Sequence, residues 1–453
     1  MKRTPGGPAK ARSVRARPAS AGPTASAAEA RAKVAPARAA AFEILTRVGD
    51  GSRHSDELLH SARMDALTPE DRNLATALVM GVLRWQIALD ARVGKLLARP
   101  EQRLAEPVAL ALRMGAFQLL HMDRIPAHAV LHESVEMCRA AEQPHATGMV
   151  NAVLRKLAAA QKPGERIFES PAAFAERLGH PGWMVERWVS AYGREAALKI
   201  CEYDQREPVH GIMFSGIEPA EDAPQMDDGS RLVAELAAAA LPFIGERAPR
   251  VWDCCAAPGG KTLMLALRLA GAEILATDAS ARRLAAMEAR LRRYPYAQRV
   301  RCEVTDAAAA GNESESCFDL ILCDVPCSGT GTLARNPEIR HRLRAEDLPR
   351  QATRQRAILS QTLGRLAPGG RLVYATCSLE PEENERVVED AASAAGVRRV
   401  SVAPLIASLA DAGILRREAG DQLIGSAVSN GALRTLPGVH ACDGFFAAIL
   451  ERD

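Results

Sequence analysis

Two cysteines stand fifty positions apart in parallel surroundings. Cys327 follows Asp324-Val325-Pro326, at the end of an apolar run from Phe318 to Cys323 that reads as a buried strand, and Cys377 follows Tyr374-Ala375-Thr376 at the end of another. A thiolate can add to an electron-poor ring carbon. A rigid proline and the nearby Gly329 and Gly331 let the backbone approach a flat substrate closely. On local pattern alone Cys327 is the first candidate nucleophile. Taken singly, each cysteine reads more often as a small buried apolar residue. Two of them at the mouths of two strands of one sheet, about 5 Å apart, argue for function.

A third strand end carries a different kind of group. Asp253-Cys254-Cys255-Ala256-Ala257-Pro258-Gly259-Gly260-Lys261-Thr262 reads as strand, glycine loop and helix start. Gly260-Lys261-Thr262 resembles a nucleoside triphosphate loop, but that motif needs a glycine where Cys255 stands. A nucleoside cofactor fits better. Asp278, ending the next strand, is placed to accept from ribose hydroxyls, and Asp306, after the one following, to accept from an adenine amino group. The residues leave NAD and S-adenosylmethionine in competition. The missing G-x-G-x-x-G spacing favours the methyl donor.

The elements that must hold these residues follow from the hydrophobic pattern. Arg250–Cys254, Glu273–Asp278, Val300–Val304, Phe318–Asp324, Arg371–Thr376 and Gly444–Leu450 read as strands separated by helices, which predicts an α/β fold with a doubly wound, mostly parallel sheet over 236–453. Residues 37–162 carry helical periodicity throughout: Leu74, Leu78, Val82 and Leu89 share one face, and Leu110, Met114, Phe117 and Leu120 another. Thr68-Pro69-Glu70-Asp71 reads as a helix cap followed by a first-turn proline and acids. Residues 163–235 are a connector in which Trp183 and Trp188 read as an interdomain core contact. Residues 1–36, rich in Ala, Pro, Arg and Ser, form an expected disordered basic arm, suited to a solvated tail, RNA contact or targeting.

Composition narrows the classes. The 453 residues are 47% hydrophobic with a net charge of +3, so any nucleic-acid affinity must come from local clusters. No uninterrupted apolar run has membrane-spanning length, and the first residues lack the apolar core of a secretory signal. Ten cysteines without a C-x-x-C pair predict free thiols in a reducing cytoplasm and no metal site.

The motifs Cys-Ala-Ala-Pro-Gly-Gly-Lys-Thr (255–262), Asp-Val-Pro-Cys-Ser-Gly-Thr-Gly (324–331), Thr-Cys-Ser-Leu-Glu-Pro-Glu-Glu-Asn-Glu (376–385) and Asp-Gly-Phe-Phe (443–446) closely resemble the RNA cytosine-5 methyltransferases. Asp71-Arg72 with Leu83-Arg84, Asp123-Arg124-Ile125-Pro126-Ala127-His128 and Val150-Asn151-Ala152-Val153-Leu154-Arg155 resemble the NusB-type RNA-binding fold. Both together are similar to the bacterial RsmB (Sun/Fmu) family, acting on small-subunit 16S ribosomal RNA. The resemblance implies a Rossmann-like methyltransferase domain behind an all-α NusB-like domain, and a monomer. It implies Cys377 as the nucleophile on cytosine carbon 6, Cys327 as the group assisting product release, Asp324 on the base edge, and Lys261 near the reacting groups. It implies S-adenosylmethionine held by Cys255, Ala256, Ala257, Pro258, Gly259, Gly260, Lys261, Asp278, Asp306 and Asp324.

The chain departs from the family before Gln225–Ser230, where the RNA-recognition-like subdomain is shortened. Arg335, Arg340, Arg342, Arg344, Arg350, Arg354 and Arg356 follow the Cys327 loop and read equally as a solvated helix face or as phosphate contacts. Two other readings remain: a DNA cytosine-5 methyltransferase using Cys327, and an antitermination factor that binds RNA without catalysis.

Overall fold

The computed structural model describes residues 29–30, 32–51, 53–160, 170–209, 211–214, 224, 226–309 and 317–453. Most of the expected basic arm lies outside the described residues. Its last part does not behave as a free tail: Ala30 and Val34 are buried, and Val34 joins the core of the helical bundle. A single branched apolar residue beside helix Pro36–Gly49 supplies the burial that the composition of the arm as a whole lacks.

The bundle is built from Pro36–Gly49, Pro69–Gly94, Glu106–His121, Ala127–Ala140 and Thr147–Ala159. Thr68 caps the long helix as expected, its Oγ1 accepting from the Asp71 N–H at 3.2 Å. Pro126 ends the preceding turn, and the next helix starts at Ala127. Pro69–Gly94 has the length and apolar character of a membrane span. Its Leu78, Val79, Val82 and Leu89 are instead buried in the bundle core. Gly81 makes the close packing possible, because a Cβ there would lie 1.9 Å from the Phe117 ring.

Among the described residues the second domain is a nine-stranded sheet: β1 Arg250–Asp253, β2 Glu273–Asp278, β3 Arg301–Val304, β4 Phe318–Asp324, β5 Leu366–Thr376, β6 Val397–Val400, β7 Val428–Ser429, β8 Ala432–Arg434 and β9 Phe446–Arg452. Their order is β3-β2-β1-β4-β5-β9-β8-β7, with β6 also on β9. The first five pair in parallel, with helices on both faces, as the alternation predicted. The other end is not parallel. β9 returns antiparallel to β5, and β6 and β8 pair antiparallel to it. The order reverses between β1 and β4, which opens a crevice beyond their carboxyl ends.

The connector packs against the sheet domain through a core of its own. Trp188 is fully buried with Phe174, Met184 and Ile200, and Leu333 and Leu379 from the catalytic domain complete the cluster. The Trp188 indole donates to Glu380 Oε1 at 3.2 Å. Helix Asp228–Ala239, capped by Asp227, leads from the connector into the sheet domain.

Candidate active site

The glycine loop is shaped by backbone ties to the strands beside it. The Cys254 N–H donates to the Leu322 carbonyl of β4 at 3.0 Å, and the Ala256 N–H to the Thr277 carbonyl of β2 at 2.8 Å. Gly259 has a φ of +93° and faces Met287, whose Cγ would be 2.8 Å from any Cβ placed there. Helix Gly260–Arg268 starts next and carries Lys261 on its first turn. Beneath the loop, Thr262 donates to Asp253 Oδ2 at 2.6 Å. Burial pushes the Asp253 carboxyl up to about 7 against that hydrogen bond.

A cleft of about 510 Å³ lies above this loop. Six of the residues expected to hold the cofactor line it: Cys255, Ala257, Lys261, Asp278, Asp306 and Asp324. Ala256 turns into the core, while Pro258, Gly259 and Gly260 shape the loop without lining the cleft. Asp278 is held by the Ser280 N–H at 2.9 Å and by Arg283 at 3.5 Å. Asp306 is exposed at the far side, and its Oδ1 accepts from the Ala308 N–H.

The two cysteines come together. β4 and β5 run side by side with Asp324 opposite Ala375, and the Gly331 N–H donates to the Cys377 carbonyl at 2.9 Å. The sulfurs of Cys327 and Cys377 are 3.4 Å apart, and both residues line the cleft. Lys261 Nζ lies 2.8 Å from Asp324 Oδ2. Burial works to lower the Lys261 ammonium, but the charge and hydrogen bond of Asp324, then the charges of Asp227 and Cys377, hold it above its ordinary value. The hydrogen bond to Cys377, then burial, then the charges of Cys377 and Glu383 push the Cys327 thiol well above its ordinary value.

The Asp443–Phe446 motif closes one side. Gly331 and Gly444 pass so closely that a Cβ on Gly331 would stand 2.1 Å from the Gly444 carbonyl oxygen. Phe445 lines the cleft, with the Lys261 ammonium 5.4 Å from its ring centre. The motif was legible in the sequence; Phe445's place at the cleft was not, since no charge or spacing marks it. Thr332, Asn336 and Arg354 also line the cleft and drew no individual attention, except Arg354 as one of a run of arginines.

That run divides. Arg340 is buried and donates to the carbonyls of Arg84 and Gly179, and Arg335 pairs with Asp443 at 2.6 Å. Arg342 donates to the Val48 carbonyl of the helical domain at 2.9 Å. Arg350 pairs with Asp347, and Arg356 with Asp390 at 2.6 Å. The partners of Arg335, Arg340 and Arg342 lie a hundred or more residues away in sequence, which is why charge spacing alone suggested solvent or phosphate. Arg344 and Arg354 are exposed, and only Arg354 faces the cleft.

Residues 245–451 match the family model of 16S rRNA methyltransferase RsmB/F, and residues 35–159 that of the NusB family. Ribosomal RNA small subunit methyltransferase B of Vibrio cholerae is 31% identical over 92% of this chain and 97% of its own length. Its namesake in Xanthomonas campestris is 32% identical over 94% and 99%. The chain belongs to the RsmB/F family of 16S rRNA methyltransferases. Among solved structures, the one titled Crystal Structure of PH0851 shares the fold over 92% of this chain and 99% of its own, with a TM-score of 0.67 at 20% identity. As a member of the RsmB/F family, the chain uses S-adenosylmethionine. The chemistry of the lining fits such a group: Asp278 at the end of β2 and Asp306 after β3 offer carboxylate acceptors, and the two thiols and the Lys261–Asp324 pair share the same cleft.

Proposed function

We propose that this enzyme methylates carbon 5 of a cytosine in 16S ribosomal RNA through a transient bond between Cys377 and carbon 6. The observation that carries the reading is the pair of sulfurs 3.4 Å apart, beside the Lys261–Asp324 ion pair, in a cleft that also carries Asp278 and Asp306. Bound S-adenosylmethionine supplies an electrophilic methyl group. The protein must make carbon 5 nucleophilic. A thiolate adding to carbon 6 does so by turning the ring into an enamine.

The environment separates the roles of the two thiols. Cys327 is pushed toward the neutral thiol, which suits a group that exchanges a proton rather than one that attacks. Cys377 shares the cleft with the Lys261 ammonium, which is held charged. Asp324, fixed by Lys261, presents its carboxylate to the base edge. After methyl transfer the carbon 5 proton leaves to a base and the carbon–sulfur bond breaks, a release that Cys327 assists. Reaching the base requires a single-stranded target or a flipped nucleotide. The NusB-like domain and Arg354 supply contacts to the rest of the RNA.

Incubating the enzyme with labelled methyl donor and purified small subunits or 16S RNA, then mapping the modified nucleotide, tests this directly. One labelled 5-methylcytosine is expected. Label on another base, or at another ring atom, contradicts the proposal.

A further inference from the structure

Beneath the thiol pair lies a carboxylate that the reaction as described does not use. Glu383 has no solvent exposure. Its oxygens accept from the Ser328 N–H at 2.9 Å, from the hydroxyls of Ser328 and Ser378, and from Gln355 Nε2 at 2.9 Å. Ser328 and Ser378 are the residues directly after the two cysteines, and their hydroxyls lie 3.0 Å from each other. Gln355 also donates to the Pro326 carbonyl, just before Cys327. One side chain thus holds the loop ending β4 and the loop ending β5. Among the described residues it is held by hydrogen bonds and not by an ion pair, an expensive way to bury a charge unless the site needs it.

We propose that Glu383 is a positioning residue for methyl transfer: its buried carboxylate fastens the two cysteine loops together, sets the contact between the sulfurs, and places a negative charge behind Cys327. The proposal rests on reading Cys327 and Cys377 as the working thiols. A clamp of hydrogen bonds from adjacent serines fixes where both sulfurs emerge, since neither loop can shift without breaking a bond to a buried anion. The charge makes the pair unequal. It favours the thiol form of Cys327, in line with that group's displacement above its ordinary value. The unequal state is the one the chemistry needs, with one sulfur to attack and one to keep a proton.

Glu383→Gln keeps the shape and removes the charge, and the full-length protein can be tested without RNA. In a Cys377→Ser background, the pH dependence of Cys327 alkylation, read on its peptide by mass spectrometry, should shift down by about one unit or more in Glu383→Gln. With both cysteines present, and compared at a pH that ionises Cys327 to the same extent in both proteins, the rate at which diamide joins them in a disulfide should fall several-fold in Glu383→Ala. Methyl transfer by Glu383→Gln should lose ~10²-fold in kcat with the KM for S-adenosylmethionine unchanged, because the residue lies outside the cofactor cleft. An unchanged alkylation profile together with an unchanged disulfide rate overturns the proposal. Neither thiol measurement needs the methyl acceptor, so a failed assignment of the reaction leaves them interpretable. If a Glu383 variant loses its cooperative thermal transition, Ser328→Ala decides: it deletes one of the clamp's bonds and leaves the charge, and an unslowed disulfide rate overturns the clamp.

Discussion

The segment from Asp324 to Leu343 begins in one cluster of buried polar groups and ends in another. At its start, Asp324, Lys261 and the two thiols face a cleft. At its end, Arg340 enters a sealed cluster with Asp204, His180 and the Arg84 backbone, where the helical domain, the connector and the catalytic domain meet. In the first cluster the opposite charges touch and the remaining groups open onto space for ligands. In the second nothing opens outward, and Asp204 Oδ1, Gln205 Oε1 and Arg340 Nε are left without partners among the described residues. Burial there pushes Asp204 up to about 7 and Arg340 down to about 10, each held back by the other's charge. His180 is driven well below its ordinary value, mainly by burial, and is neutral. A neutral imidazole that donates Nδ1–H to the Leu178 carbonyl must accept at Nε2, so Asp204 supplies the proton on that side. The same kinds of residue thus serve chemistry where they are open and matched, and domain adhesion where they are closed.

Substitutions in the two clusters should therefore fail differently. Lys261→Ala leaves Asp324 without its cation beside the thiols, and methyl transfer should fall ~10²–10³-fold while the thermal transition moves little. Measured kcat and melting curves together check this; an equal loss of stability erases the distinction between the clusters. Arg340→Ala should do the reverse. It strips the donor from the buried carbonyls of Arg84 and Gly179, costing ~2–4 kcal/mol in urea unfolding.

The sealed cluster also sets a pH dependence. Asp204 has a folded value near 7, above its unfolded one near 4. Its contribution to stability is full below about pH 4 and is lost as pH rises through about 7. Asp204→Asn, which mimics the neutral acid, should be more stable than the parent by ~1–3 kcal/mol at pH 8 and little different at pH 4. A difference that does not change with pH would show that Asp204 ionises freely there. The smallest effect belongs to the exposed arginine of the cleft. Arg354→Ala should weaken 16S RNA binding uniformly across sequences and reduce the slope of log affinity against log salt by about one. The paired Arg350 and Arg356 should change that slope less.

The contrast also explains what the sequence could reveal. Strand ends were legible because short apolar stretches, Val251–Trp252, Ile274–Ala276, Leu320–Cys323 and Leu372–Ala375, lead into Asp253, Asp278, Asp324 and Thr376. The meeting of Cys327 and Cys377 followed from placing those strands side by side. The short β6, β7 and β8 were not legible, since two to four residues carry no period. Nor was the antiparallel return of β9, because alternation does not state direction. The roles of Arg335, Arg340 and Arg342 were hidden because a charge is read in one dimension and its partner is chosen in three. Glu383 was visible as one acid among four in Glu380–Glu385; Glu380 is buried as well but pairs with Arg187, and only the fold shows that Glu383 is held by the serines beside the two cysteines.

The central claim is that the two thiols, though in contact, are not interchangeable. Trapping on 16S RNA transcripts containing 5-azacytidine tests it most directly, because loss of the carbon 5 proton is blocked and any carbon 6 adduct persists. The parent enzyme and Cys327→Ala should form a covalent complex that survives denaturing electrophoresis, and Cys377→Ala should form none. A complex that persists in Cys377→Ala and disappears in Cys327→Ala would reverse the roles assigned to the two sulfurs.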